Sequence, residues 1–78
     1  MMTNVIVYST QTCPYCTMAE DFLKEHKIEF KHVDVGSDQA GLKEMMDKSG
    51  QTGVPVIDID GKIIVGFNEA AVKEALKL

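Results

Sequence analysis

Both cysteines of this chain lie in one short stretch, Thr12-Cys13-Pro14-Tyr15-Cys16, with two residues between them. Two thiols at that spacing on a first helical turn can close a small disulfide ring without unfolding anything. The stretch follows the apolar run Val5-Ile6-Val7-Tyr8 and precedes a helix-period pattern, so the pair sits where a strand gives way to a helix N-terminus. In that context a C-x-x-C reads as a redox motif. With Cys13 as N-cap, Pro14 falls at the first helical position, where a missing N–H costs nothing and the fixed φ suits the helix. The sulfur of Cys13 is then expected to accept from the free N–H groups of Tyr15 and Cys16, and a thiolate gains most from such bonds. A helix N-terminus favours an anion by up to about 2 kcal/mol in good geometry. Cys13 is therefore the expected nucleophile of disulfide exchange, and Cys16, a turn further in and facing the core, the resolving thiol.

Other uses of the pair fit less well. A structural disulfide in a small secreted domain usually comes as one of several. A zinc or cluster site needs more ligands than two sulfurs, and the only imidazoles, His26 and His32, fall at the end of the first helix and in the next strand. No metal ligand is assigned. Met45 and Met46 suggest a soft-metal site only until their spacing is considered, which suits a core face.

The elements that must position the pair follow from periodicity. Val5 to Ser9 is an almost continuous apolar run, the pattern of a central strand buried on both faces. From Pro14 to about His26, Cys16, Ala19, Phe22 or Leu23, and His26 recur at helical spacing, while Glu20, Asp21, Lys24 and Glu25 point away. Phe30 to Val35 is a second strand, joined to the first through a helix and so parallel to it with a right-handed crossover. Ser37 and Asp38 offer caps for a second helix, in which Leu42, Met45, Met46 and Ser49 share a face and which Gly50 stops. Pro55 to Ile59 and Lys62 to Val65 flank Asp60-Gly61, a dipeptide suited to a type I′ hairpin. A last helix, capped by Asn68, buries Val72, Ala75 and Leu76. The expected fold class is α/β, a βαβ unit followed by ββα.

Length and composition bound the rest. The 78 residues are expected to form one domain, residues 1–78, at the lower end of what folds without staples. Nothing approaches the roughly 18 apolar residues of a membrane span. Eight lysines, no arginine and a net charge of −4 leave no basic stripe, so nucleic acid is not an expected partner. A cysteine pair without a leader fits a reducing cytoplasm. A monomer is expected.

Taken together, C-P-Y-C after a short first strand, Gly53-Val54-Pro55 before the hairpin, and Gly66-Phe67-Asn68-Glu69 before the last helix resemble the glutaredoxin family, from about Asn4 to the C-terminus. The resemblance implies a minimal thioredoxin fold with a four-stranded mixed sheet in order 2-1-3-4 and helices on both faces. It implies that Val54-Pro55 is cis and lies against the cysteine pair, where the Val54 backbone pairs with a bound peptide or glutathione. By that analogy Thr12, Pro14 and Tyr15 complete the motif, Cys13 attacks, a mixed disulfide forms and Cys16 resolves it. Thr10, Gly53, Val54, Pro55, Gly66, Phe67 and Asn68 are the implied substrate- or glutathione-binding residues, with no tightly bound cofactor.

The departures from the family pattern bear on the electron donor. Many glutathione-using members carry a basic residue three positions before the first cysteine, where this chain has Thr10. They often have threonine two before the proline, where Gly53 stands, and Gly-Gly followed by Cys or Ser and Asp where this chain has Val65-Gly66-Phe67-Asn68. The Gly-Phe pair and the short length are more similar to redoxins of the NrdH type, which are reduced by thioredoxin reductase and serve ribonucleotide reductase. The expected partners are thus disulfide-containing proteins, with glutathione or a thioredoxin-reductase-type flavoprotein as donor. A rival reading is an iron–sulfur binding module in which Cys13 of two chains and glutathione thiols hold a cluster. Pro14 weighs against it, since a rigid proline beside the ligand limits the adjustment a bridging cluster asks for.

Overall fold

The computed structural model describes residues 4–77. Its elements run β1 (Val5–Ser9), α1 (Pro14–Glu25), β2 (Lys31–Asp34), α2 (Gln39–Ser49), β3 (Val56–Ile59), β4 (Lys62–Val65) and α3 (Glu69–Leu76). The four strands form one mixed sheet in the order β2-β1-β3-β4. β1 pairs parallel with β2, Val7 opposite His32, and antiparallel with β3, Val7 opposite Ile57; β3 and β4 are antiparallel. The topology is the one expected from sequence. Among the described residues, no helix is long and apolar enough to cross a membrane.

Alternation along β1 divides the core into two layers. Val5 and Val7 point to the face covered by α1 and α3, where they pack with Ala19, Phe22, Leu23, Ile57, Ile59, Ile64 and Val72. Tyr8 points the other way and joins Val35, Met45 and Val56 under α2. A strand with covered faces on both sides must be apolar at nearly every position, which explains the unbroken run at the N-terminal end of the chain.

The ends of the elements follow local chemistry. Asp38 caps α2 by accepting from Gly41 N at 3.0 Å, and Gly50 closes it in the left-handed region. Asn68 caps α3 by accepting from Ala71 N at 3.1 Å. In the β3–β4 turn Asp60 and Gly61 both adopt positive φ, 50° and 92°, as a type I′ turn requires.

Some sequence expectations shift. β2 is shorter than Phe30–Val35, because Phe30 leaves the sheet to pack on the α1 side of the core. β3 begins at Val56, one residue after Pro55, which has no N–H to give the ladder. His26 does not face the core: α1 ends at Glu25, and His26 caps it from the surface with its ring 4.5 Å from that of Phe22. On α2 Met45 is fully buried but Met46 is 42% exposed, since the sheet covers one stripe of the helix and Met46 lies on its flank. In α3 only Val72 is fully buried; Ala75 and Leu76 are half-buried.

Candidate active site

The first turn of α1 is built around its N-cap. Cys13 is extended, with φ −93° and ψ 111°, Pro14 occupies the first helical position, and Cys13 Sγ accepts from Cys16 N at 3.3 Å. The accepted bond comes from Cys16 rather than from Tyr15 and Cys16 together, because the side chain reaches back to the third helical position, where N-cap bonds commonly form. The Cys13 backbone carbonyl accepts from Thr17 N at 3.3 Å and starts the helical ladder.

Cys13 is half-buried and Cys16 buried, both as free thiols. Burial pushes the Cys16 thiol up to about 12, and the bond with the Cys13 side chain and the charges of Cys13 and Glu20 push the same way against a lowering backbone bond from Thr10. The pair is therefore asymmetric, with one accessible sulfur at a helix end and one protonated sulfur behind it.

Val54 and Pro55 stand against this pair. The Val54–Pro55 bond is cis, and Cys13 Sγ–H donates toward the Val54 carbonyl oxygen at 3.8 Å. Pro55 is fully buried, and its carbonyl accepts from Gly66 N at 2.7 Å, which ties the β4–α3 connection to the same corner. Gly66 turns that connection at φ 79°, a conformation in which a side chain would be strained. Phe67 packs its ring 5.8 Å from Phe22, joining the core rather than standing free. Asn68 spends its side-chain oxygen on capping α3. Gly53 is exposed, its N–H donated to the Gln51 side chain.

An open groove of about 370 Å³ is lined by Thr10, Gln11, Thr12, Asp34, Gly36 and Ser37. Its one ionisable side chain is the Asp34 carboxylate, which accepts from Gly36 N at 2.9 Å and from the Gln11 amide at 3.3 Å. Tyr15, between the two cysteines, is 61% exposed, and Met18 further along α1 is 50% exposed. The structure thus gathers Thr10 and Thr12 in this groove, and Val54, Pro55 and Gly66 in the corner that Cys13 reaches through Val54.

Local pattern missed three residues close to this turn. Glu20 was expected to point to solvent, yet its side chain is only 19% exposed and pairs with His32 Nδ1. Ser9, fully buried at the end of β1, places its Oγ 3.2 Å from the same ring nitrogen. The spacing of Glu20 four residues after Cys16 was the available signal; the strand register that delivers His32 was not.

Fold and site together define a thioredoxin-fold redox protein. Residues 5–64 match the family model described as Glutaredoxin. The chain is 46% identical over 71 residues to a glutaredoxin-like 8.6 kDa protein of Clostridium pasteurianum, covering 91% of this chain and 95% of that one. It is 37% identical over 68 residues to glutaredoxin 3 of Escherichia coli, covering 87% and 82%. The glutaredoxin of Archaeoglobus fulgidus superposes with a TM-score of 0.86 at 27% identity, covering 99% of this chain and 89% of that one. The chain belongs to the glutaredoxin family, whose members are thiol oxidoreductases.

Proposed function

We propose that the protein is a dithiol oxidoreductase that reduces protein disulfides and glutathione mixed disulfides through Cys13 and Cys16. The observation that carries this reading is the asymmetry of the pair: Cys13 accessible at the N-cap of α1, Cys16 buried and hydrogen-bonded behind it. Cys13 thiolate attacks a substrate disulfide, forming a mixed disulfide and releasing the first substrate thiolate with its electron pair. Cys16 then attacks Cys13 Sγ, the Cys13–Cys16 bond forms, and the second thiolate leaves. A donor returns two electrons to restore the dithiol. The Val54 backbone beside Cys13 supports an extended substrate segment lying along that edge.

The groove beside Thr10 supports a flavoprotein donor of the thioredoxin-reductase type, with NADPH, over glutathione. Glutathione carries two carboxylates, and a site for it usually supplies a cation to one of them. Here the groove offers Asp34 and no cation, and the chain has no arginine to supply a bidentate fork. The free N–H groups at the start of α3 remain available to the second carboxylate. Glutathione use is weakened rather than abolished.

Capture experiments test the core of the reading. Cys16→Ser should hold substrate proteins as mixed disulfides that dithiothreitol releases, and Cys13→Ser should hold none and reduce nothing. Reductase activity surviving in Cys13→Ser would sink it.

A further inference from the structure

The second half of that cycle has a proton to dispose of. Cys16 is 2% exposed, and a thiol must lose its proton to become a nucleophile. Burial and its neighbours hold that proton tightly, pushing the group up to about 12. Unlike Cys13, Cys16 does not face open solvent.

Glu20 lies four residues after Cys16, one turn along α1 and on the same side of the helix. Side chains of a helix lean back toward its N-terminus, so Glu20 and Cys16 are neighbours along one face of α1. Its charge is one of those felt at the Cys16 thiol. The carboxylate is also clamped. His32 sits opposite Val7 in the β1–β2 register, which turns its ring to the α1 face, where Nδ1–H donates to Glu20 Oε2. Ser9 Oγ, with no exposure of its residue, braces that ring at 3.2 Å. The carboxylate of α1 is thus held by a ring of β2, which a hydroxyl of β1 holds in turn. Apart from Glu20, the groups facing Cys16 are Cys13 from α1 and the Thr10 backbone, while His32 reaches it from β2 through Glu20.

Building on the dithiol reading, we propose that Glu20 takes the proton of Cys16 as Cys16 attacks the mixed disulfide, with His32 as the positioning residue that holds the carboxylate over the first turn of α1. In that step the Cys16 S–H bond breaks and its proton passes to the carboxylate. The electron pair left on sulfur forms the Cys16–Cys13 bond. The bond between Cys13 and the substrate sulfur breaks, and the substrate thiolate leaves with its pair. Glu20 later gives the proton to solvent or to the departing thiolate. No further reductant or oxidant enters.

Ellman's reagent separates the two half-reactions. Reduced protein mixed with one equivalent releases one thionitrobenzoate as Cys13 attacks and a second as Cys16 resolves, both visible near 412 nm in a stopped-flow instrument. Glu20→Gln should slow the second, concentration-independent phase by roughly 100-fold or more, in line with the loss of a positioned base. The first phase should stay within about twofold. The second phase of Glu20→Gln should also depend more steeply on hydroxide concentration than that of the wild type, as follows when no carboxylate stands by to take the proton. Glu20→Asp should recover part of the rate, and His32→Gln should fall between wild type and Glu20→Gln. An unchanged second phase in Glu20→Gln, or an equal slowing of both phases with loss of helical circular dichroism, would overturn the proposal. A second release persisting in Cys16→Ser would instead remove the dithiol reading on which it rests.

Discussion

The Cys13 thiol points at the carbonyl oxygen of Val54, 3.8 Å away and 41 residues on in the chain. The N-terminus of α1 and the lead into β3 therefore form one corner. On the function proposed above, a partner whose sulfur reaches Cys13 would meet the Val54 backbone at the same time, which would couple sulfur chemistry to main-chain recognition.

The two thiols should differ sharply in reactivity. Reduced protein treated briefly with iodoacetamide at neutral pH should carry the label on Cys13 at least tenfold more than on Cys16, because Cys16 is buried and its proton is held up to about 12. Peptide mass spectrometry reads the ratio, and equal labelling of native protein would contradict the asymmetry.

Cys16 also links stability to alkaline pH. Its folded value, about 12, lies above the ordinary thiol value of 9.0, so the contribution to stability is complete below about pH 8. As pH rises from there through 12, the unfolded chain releases the proton first and unfolding gains. Urea unfolding of the reduced protein should show stability falling across that range more steeply than in Cys16→Ala. Tyr8 and Lys48, both also raised, contribute equally to the two proteins. Parallel curves would remove Cys16 as the source.

The donor preference is open to direct competition. With one mixed-disulfide substrate, a thioredoxin-reductase-type flavoprotein and NADPH should turn the protein over faster than millimolar glutathione does. Thr10→Lys should raise the glutathione rate about tenfold, the worth of one charge-assisted contact at the low end of roughly 1.5–3 kcal/mol. Faster turnover with glutathione and no gain in Thr10→Lys would refute the argument from the missing cation.

Under α2, Lys48 Nζ donates to Asp58 Oδ2 at 2.7 Å and to Tyr8 Oη at 2.8 Å, while Tyr8 Oη donates to Glu44 at 2.7 Å. Asp58 is 7% exposed, so removing its cation strands a carboxylate against the sheet. Lys48→Met should cost about 2 kcal/mol in denaturant unfolding and leave disulfide reduction intact, because the network lies on the face away from α1. Adding Asp58→Asn should recover part of the loss. A neutral Lys48→Met would show that water already satisfies Asp58.

Much of this protein was legible in the chain because its signals are local. Cys13 beside Pro14 marks both a helix start and a thiol at its positive end. Asp38, Gly50, Asn68 and Asp60-Gly61 each satisfy or turn their own backbone, and the almost continuous apolar run of Val5–Ser9 needs only two covered faces to be explained. Such choices are settled within a few residues by sterics and hydrogen bonding.

Tertiary structure alone decided what depends on register and on which faces are covered. Ser9 and His32 are 23 residues apart in sequence, and Lys48 and Tyr8 are 40 apart. A one-residue slip in the β1–β2 pairing would turn His32 away from Glu20, because successive strand side chains point to opposite faces. Met45 and Met46 are chemically identical neighbours, yet one is fully buried and the other exposed, since the sheet covers only one stripe of α2. Sequence determined that a cysteine pair would stand at a helix start; the β1–β2 register determined that His32 would meet the Glu20 carboxylate of the same helix.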